Sequence, residues 1–177
     1  MAVIETIKSF FIPVRDSEPE IIVPAPHTEY SIKPLTTVQI SELLRLNLRC
    51  FPEGDSYNKH TFNYLLNEPT TLSYQIVTPS EDLVAFAFVM INGNGAAHLT
   101  TIGVAPEHRR RGLGLRLIEH LEKLLKQKQV GTIILEVRVG NLPAQNLYRR
   151  MGYAVVQRIN NYYNNGEDCY LMMKPLV

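Results

Sequence analysis

Two groups of residues in this 177-residue sequence have types and spacings that can do chemistry. The first is the run Thr101-Ile-Gly-Val-Ala-Pro-Glu-His-Arg-Arg-Arg-Gly-Leu-Gly-Leu-Arg-Leu-Ile118. It reads as a short β-branched strand stopped at Pro106, a loop with three arginines and two glycines, and an amphipathic helix. Gly112 and Gly114 let the backbone approach a ligand where a Cβ would intrude. The N–H groups of the loop and first helical turn make an anion site, and Arg109, Arg110 and Arg111 add positive charge beside it. The ligand such a loop suits is a pyrophosphate; the plainer alternative is a helix entered through a basic loop. Two nucleotide motifs are excluded by spacing. No P-loop run exists, and Leu117 stands where the dinucleotide fingerprint needs its third glycine.

The second group is titratable. Glu136 lies in Ile-Ile-Leu-Glu-Val-Arg-Val, a strand whose burial would raise a carboxyl pKa towards that of a useful general base. The same residue can instead pair with Arg138 two positions on, on the same strand face. His98, on the neighbouring strand, is a second possible base, or simply a hydrogen-bonded core histidine. Tyr148 can serve as an acid, since a phenol with a pKa of about 10 can protonate a thiolate leaving group; by residue type alone it is equally an ordinary core tyrosine. Asn141 can cap a helix or bond a cofactor.

The elements that must hold these groups are legible in outline. Tyr30–Lys33 predicts a short strand, and Thr36-x-x-Gln39 has the form of a capping box opening a helix with Val38, Leu43, Leu44 and Leu48 as its buried stripe. Phe51-Pro52 ends that helix. A polar loop, Glu53–Tyr57, leads to a second helix over Lys59–Asn67. Leu72–Thr78, Leu83–Ile91 and Ala96–Val104 alternate as strands, with Asn92-Gly93-Asn94-Gly95 as the hairpin tip. Leu113, Leu117, Leu121, Leu124 and Leu125 share one face of the helix after the arginine loop. Thr132–Val139 belongs in the middle of a sheet, and Asn141, Pro143 and Gly152 bracket a further helix. Strands near Tyr153–Arg158 and Asp168–Lys174 complete a mixed α/β chain of about six or seven strands and about four helices. Gly103 gives its strand room for a bulge. Residues 1–29, punctuated by Pro13, Pro19, Pro24 and Pro26 between the apolar clusters Ile7–Ile12 and Ile21–Val23, form an extension expected to drape over the domain of residues 30–177 or pair at an edge.

Composition bounds the partners. The chain carries 45% hydrophobic and 20% charged residues at a net charge of +1, so the arginine triplet is local and no nucleic-acid-binding face is expected. Cys50 and Cys169 lack metal-like neighbours, which points to free thiols, no metal and a reducing compartment. No apolar window spans a bilayer and no secretory leader is recognisable, so a cytoplasmic protein without a membrane partner is expected. The oligomeric state is not readable.

Arg109-x-x-Gly112-x-Gly114 after Val-Ala-Pro resembles the acetyl-CoA pyrophosphate loop of the GNAT N-acetyltransferases. Leu135-Glu-Val-Arg-Val-Gly-Asn-Leu-Pro-Ala-Gln-Asn-Leu-Tyr148, Met-Gly-Tyr153, Arg158-x-x-x-Tyr162-Tyr163 and Gly166-Glu-Asp168 carry the resemblance further. They look like its protein N-terminal acetyltransferase branch, and most like the bacterial ribosomal-protein-alanine N-acetyltransferase pattern. The resemblance implies the GNAT fold, with a largely antiparallel sheet, and acetyl transfer from acetyl-CoA to the α-amine of a protein or peptide N-terminus, a ribosomal protein among the possible acceptors. It implies Glu136 as general base, Tyr148 as acid and Asn141 as an acetyl-CoA contact. The backbone of Ile102, Gly103 and Val104 would meet the pantetheine amides, and Arg109, Arg110, Arg111, Gly112, Leu113 and Gly114 the phosphates. Tyr162 and Tyr163, read as exposed on a turn, and Phe51 with the loop after it would line the peptide site. Three departures stand out: Gly140 where Ser is usual, Cys169 where Ala is common, and no Trp after Phe51-Pro52. Two other readings stay open, an acetyltransferase of a small amine or lysine and a non-catalytic acyl-CoA-binding module. The carboxylates of Glu53–Asp55 and Glu167-Asp168 would suit a polyamine.

Overall fold

A computed structural model describes residues 22–52, 54 and 56–176. The apolar cluster Ile7–Ile12 and the side chains of Glu53 and Asp55 lie outside the described residues. Seven strands form one sheet: β1 (Ser31–Pro34), β2 (Thr71–Val77), β3 (Leu83–Ile91), β4 (Ala96–Val104), β5 (Thr132–Arg138), β6 (Ala154–Ile159) and β7 (Cys169–Pro175). Their order is β1-β2-β3-β4-β5-β7-β6. All neighbours are antiparallel except β4 and β5, which run parallel. The four α-helices among the described residues are α1 (Ile40–Cys50), α2 (Lys59–Asn67), α3 (Leu113–Gln127) and α4 (Leu142–Arg150).

The capping box at Thr36 forms, with Gln39 Oε1 accepting the Thr36 N–H at 3.1 Å. It opens a 3₁₀ turn, however, and α1 begins only at Ile40. The buried stripe is therefore Leu43, Leu46 and Asn47, the i, i+3, i+4 face that a helix presents to a core. Val38, placed in that stripe from the sequence, is 84% exposed, and Leu48 is exposed as well. Leu48 sits five residues past Leu43, about 140° round the helix. Helix α3 buries Leu113, Leu117, Ile118, Leu121, Glu122 and Leu125, and Phe62, Phe86 and Phe88 pack edge-on or tilted at the centre.

The feature that positions chemistry is the parallel pair at the sheet's centre. β4 and β5 are in register only at Ala96↔Thr132, Ala97↔Ile133 and His98↔Ile134. Both strands continue beyond, β4 to Val104 and β5 to Arg138, so they part like a fork. The expected bulge in β4 exists, but at Thr100 and not at Gly103: Val89 pairs with Leu99 and Phe88 with Thr101. Gly103 has a different reason to be glycine. A Cβ there would stand 2.6 Å from Phe86 Cε1 and 2.9 Å from Cys50 Sγ.

Candidate active site

His98 is the last β4 residue in register with β5, and Glu136 lies two residues beyond its partner Ile134. Strand periodicity puts Ile134, Glu136 and Arg138 on one face. The two side chains meet at the apex of the fork, Glu136 Oε2 being 2.6 Å from His98 Nε2, with the side chains 8% and 2% exposed. An ionised Glu136 makes Nε2–H the donor and leaves Nδ1 as an acceptor. His98 Nδ1 and Glu136 Oε1 are buried without a hydrogen-bond partner among the described residues. Buried polar atoms are ordinarily partnered, so this pair has capacity for one donor at each free atom. Arg138, on the same face, pairs with Glu167 of the loop between β6 and β7.

Tyr148 is buried on α4, its ring 5.7 Å from that of Tyr153. Burial pushes its phenol above the ordinary value, so the hydroxyl stays protonated. The helix is started by Asn141, whose Oδ1 accepts the Ala144 N–H at 3.2 Å. Its preceding loop is fixed by the buried Gln145 amide, which donates to the carbonyls of Arg138 and Val139 at 3.0 and 2.7 Å. Leu147 touches the start of α3: its Cδ2 is 3.5 Å from the place a Cβ of Gly114 would take. Tyr148 and the glycine loop are thus neighbours through one side chain.

That loop is shaped by backbone. Gly112 has φ +76° and Arg110 φ +64°, the left-handed region. The first intrahelical bond runs from the Arg116 N–H to the Gly112 carbonyl at 3.0 Å, so the N–H groups of Leu113, Gly114 and Leu115 precede the ladder. A Cβ on Gly112 would meet no atom within 4 Å. The three arginines divide. Arg109 Nε donates to the Val104 carbonyl at 3.2 Å, and Arg110 is exposed. Arg111 turns to the extension, donating to the carbonyls of Ala25 and Pro26 and, at 2.6 Å, to the Tyr30 hydroxyl. The Ala25 N–H reaches the Glu107 carbonyl at 3.0 Å, and Tyr30 O–H lies 2.9 Å from His108 Nδ1. The described end of the extension therefore drapes over the loop. Cys50, beside Arg109, has its thiol pushed up to about 11, burial outweighing the nearby positive charges.

On the far side of the fork, Phe51 is half-buried at the end of α1, and the buried Tyr57 donates its hydroxyl to the carbonyl of the bulged Thr100 at 3.1 Å. The tandem tyrosines differ from expectation. Tyr163 is half-buried, whereas Tyr162 is 3% exposed. The turn folds back on itself through Tyr163 N–H to Glu167 O at 3.0 Å and Gly166 N–H to Tyr163 O at 2.8 Å, which leaves only the second ring at the surface. The Arg138 guanidinium lies 3.8 Å from the Tyr163 ring centroid. Tyr57, Gln145 and Tyr30 were not among the site residues picked from the sequence, and Glu167 was picked only as a carboxylate for a polyamine. Glu167 had its signal in Gly166-Glu-Asp168; the other three act through contacts that spacing does not reveal.

Residues 40–153 match the acetyltransferase (GNAT) family. Among curated relatives, an N-alpha-acetyltransferase of Sulfurisphaera tokodaii is 28% identical over 160 residues, covering 84% of this chain and 94% of the relative. The [ribosomal protein bS18]-alanine N-acetyltransferase of Escherichia coli is 35% identical over 108 residues, 59% of this chain and 72% of the relative. The crystal structure of the ribosomal-protein-S18-alanine N-acetyltransferase from Escherichia coli superposes with a TM-score of 0.76 at 30% identity, over 84% of this chain and 94% of that one. Among the described residues, no helix is long and apolar enough to cross a membrane.

Proposed function

Since this chain belongs to the GNAT acetyltransferase family, we propose that it transfers the acetyl group of acetyl-CoA to the α-amine of a protein or peptide N-terminus. The observation that carries the reading is the fork: a buried Glu136–His98 pair stands at the last β4–β5 rung, and beyond it β4 no longer pairs with β5.

The residues present fit acetyl-CoA. The N–H groups of Leu113, Gly114 and Leu115 and the exposed Arg110 would hold the pyrophosphate, and the space at Gly112 admits it. The backbone of β4 over Ile102–Val104, past the last β5 rung, would take amide groups as an added strand does, and Asn141 would contact the cofactor. When bound, acetyl-CoA supplies an activated acetyl group as its thioester.

The chain's own groups then do the proton work. Glu136 accepts a proton from the attacking amine through its free Oε1, while His98 holds the carboxylate in place by donating its Nε2–H to Oε2. Tyr148, kept protonated by burial, delivers a proton to the departing sulfur. One proton leaves the nitrogen and one reaches the thiolate. A single modest base suffices for an α-amine with a pKa of about 7.7–8.0, part of which is neutral at cellular pH, and is less adequate for a lysine near 10.4. Two of the relatives are named for N-terminal acceptors, one of them alanine of a ribosomal protein, which supports that acceptor class here. A polyamine acceptor finds less support. Glu167 is taken up by Arg138 and Gly140, and Asp168 by Arg158 and the Asn161 N–H.

Two matched peptides test the reading, one with a free N-terminus and no lysine, the other with a blocked N-terminus and one lysine. Preferential acetylation of the first is expected; preferential acetylation of the second moves the chain to a lysine- or small-amine-directed enzyme. No turnover of either, with acetyl-CoA still bound, leaves a non-catalytic binding module.

A further inference from the structure

We propose that Glu167 is a positioning residue for the acceptor: its carboxylate latches the β6–β7 loop onto the turn after β5 and so sets where the Tyr163 ring stands. The inference rests on the N-terminal acceptor reading above and goes beyond it by naming how the acceptor side is held.

The carboxylate is fully engaged across the two loops. Oε1 accepts the Gly140 N–H at 2.8 Å, and Oε2 accepts from Arg138 Nη1. Burial works against its charge, yet these two donors hold its pKa below the ordinary glutamate value. A Cβ at residue 140 would stand 2.8 Å from Oε1, so any side chain there requires the Glu167 carboxylate to move. With glycine at 140, Glu167 Oε1 sits where a side chain would otherwise stand.

The latch has an end on each side of the site. On one side, Gly140 precedes Asn141, the cap of α4 that carries Tyr148. On the other, the Glu167 carbonyl accepts the Tyr163 N–H at 3.0 Å. Arg138, gripped by the same carboxylate, lies against the Tyr163 ring and shares its strand face with Glu136. Asn165 Oδ1 closes the ring of contacts, accepting from the Glu167 N–H at 3.1 Å and from Arg138 at 3.3 Å. The next residue works differently. Asp168 binds Arg158 and the Asn161 N–H, so it ties the loop to its own hairpin, while Glu167 ties it to the catalytic strand.

A latch that merely stabilised the domain would lower the melting temperature and leave substrate constants alone. A positioning latch moves the acceptor KM. Steady-state kinetics with an N-terminally free peptide on the full chain are therefore measured for Glu167→Ala, Glu167→Gln and Gly140→Ala. Glu167→Ala is expected to raise the peptide KM about tenfold with the acetyl-CoA KM within about twofold of wild type. Glu167→Gln keeps an acceptor for Gly140 and falls between the two. Gly140→Ala, which drives a methyl into the carboxylate, raises the peptide KM in the wild-type background but adds nothing in Glu167→Ala, where that space is free. Such non-additivity is the mark of residues in direct contact. An unchanged peptide KM in Glu167→Gln and Gly140→Ala, or effects of Gly140→Ala that multiply with Glu167→Ala, overturns the latch even if one variant fails to fold. A wild-type chain that ignores the peptide overturns the acceptor reading itself, a result distinct from active wild type with indifferent variants.

Discussion

At the donor end of the fork, the loop from Pro106 to Gly112 takes its shape from backbone: a 3₁₀ turn, Arg110 and Gly112 at positive φ, and helix N–H groups that precede the α3 ladder. At the acceptor end, the loop between β6 and β7 is held by two carboxylates, Glu167 and Asp168, that grip arginines and backbone N–H groups. A site made of backbone tolerates exchange of its side chains but not of its glycines. A site made of side chains shifts when any partner is lost. Substitutions at the two ends should accordingly move different kinetic constants, with the Glu136–His98 pair between them moving a third.

The largest effect belongs to the middle. Glu136→Gln is expected to lower kcat by roughly 10²–10⁴, the scale of a lost general base, with acetyl-CoA affinity and peptide KM near wild type. The deficit should shrink as pH rises and more of the amine is neutral. Wild-type kcat in this variant at pH 7 would return Glu136 to a structural role and make His98 the next residue to change. Tyr148→Phe keeps the ring packing and deletes only the donor, so it too should slow kcat; a change confined to KM would remove the phenol from the chemistry.

Next in size is the donor loop. Gly112→Asp is expected to weaken acetyl-CoA binding by about 100-fold, through the bulk and charge of a carboxylate beside a pyrophosphate. Gly112→Ala sharpens the comparison. Its Cβ meets no protein atom, so the chain itself bears only left-handed strain of about 1 kcal/mol. Calorimetry showing an affinity loss well beyond that figure reports the ligand; unchanged affinity in both variants would place the pyrophosphate elsewhere.

The two ends were not equally legible in the sequence. Arg109-x-x-Gly112-x-Gly114 is local: the strand, the turn and the helix start lie within a few residues, and glycine spacing states where backbone must come close. The strands and helices were legible for the same reason, since their periods are local. The fork was not, because nothing in Ala96–Val104 says that pairing with β5 stops at His98. Nor was the division of the arginines. Arg111 meets Ala25, Pro26 and Tyr30 across more than eighty positions, and only folding brings them together. The Glu167 latch joins residues 27 positions apart, and no local pattern in the sequence pairs Gly140 with Glu167. Tyr162 was misplaced because residue type described an amphipathic ring at a turn, while the hydrogen bonds that close the turn decide which ring faces inward.

Arg111 offers a smaller test of the donor end. If its task is to hold the extension, Arg111→Ala should cost about 1 kcal/mol through the lost hydrogen bonds to the half-buried Ala25 and Tyr30 and the exposed Pro26. It should also speed hydrogen exchange at the Ala25 amide, which is bonded to Glu107 O, while changing acetyl-CoA affinity by less than about fivefold. A loss of affinity as large as that of Gly112→Asp, with Ala25 still protected, would make Arg111 a phosphate ligand first.

The smallest effect is one of pH. Arg111 donates to the Tyr30 oxygen, so the Tyr30 O–H is free to donate to His108 Nδ1, an arrangement that needs neutral His108. Burial, with a contribution from the Arg111 charge, lowers the His108 pKa below its ordinary value, against the opposing pull of Glu107 and Asp82. A group whose folded pKa is depressed contributes stability that is complete above its unfolded value, near 6.5, and is lost as pH falls through the folded value. The melting temperature should therefore fall as pH drops below about 6.5, and the fall should be smaller in His108→Gln, which keeps an acceptor but cannot charge. His120, also lowered by burial, supplies part of the slope, so His108→Gln combined with His120→Gln should be flatter still. The His108 ring proton resonance gives the direct reading. A titration midpoint at or above 6.5 would mean that the Tyr30 hydroxyl does not depend on a neutral imidazole, and that the extension is held on the donor loop by Arg111 alone.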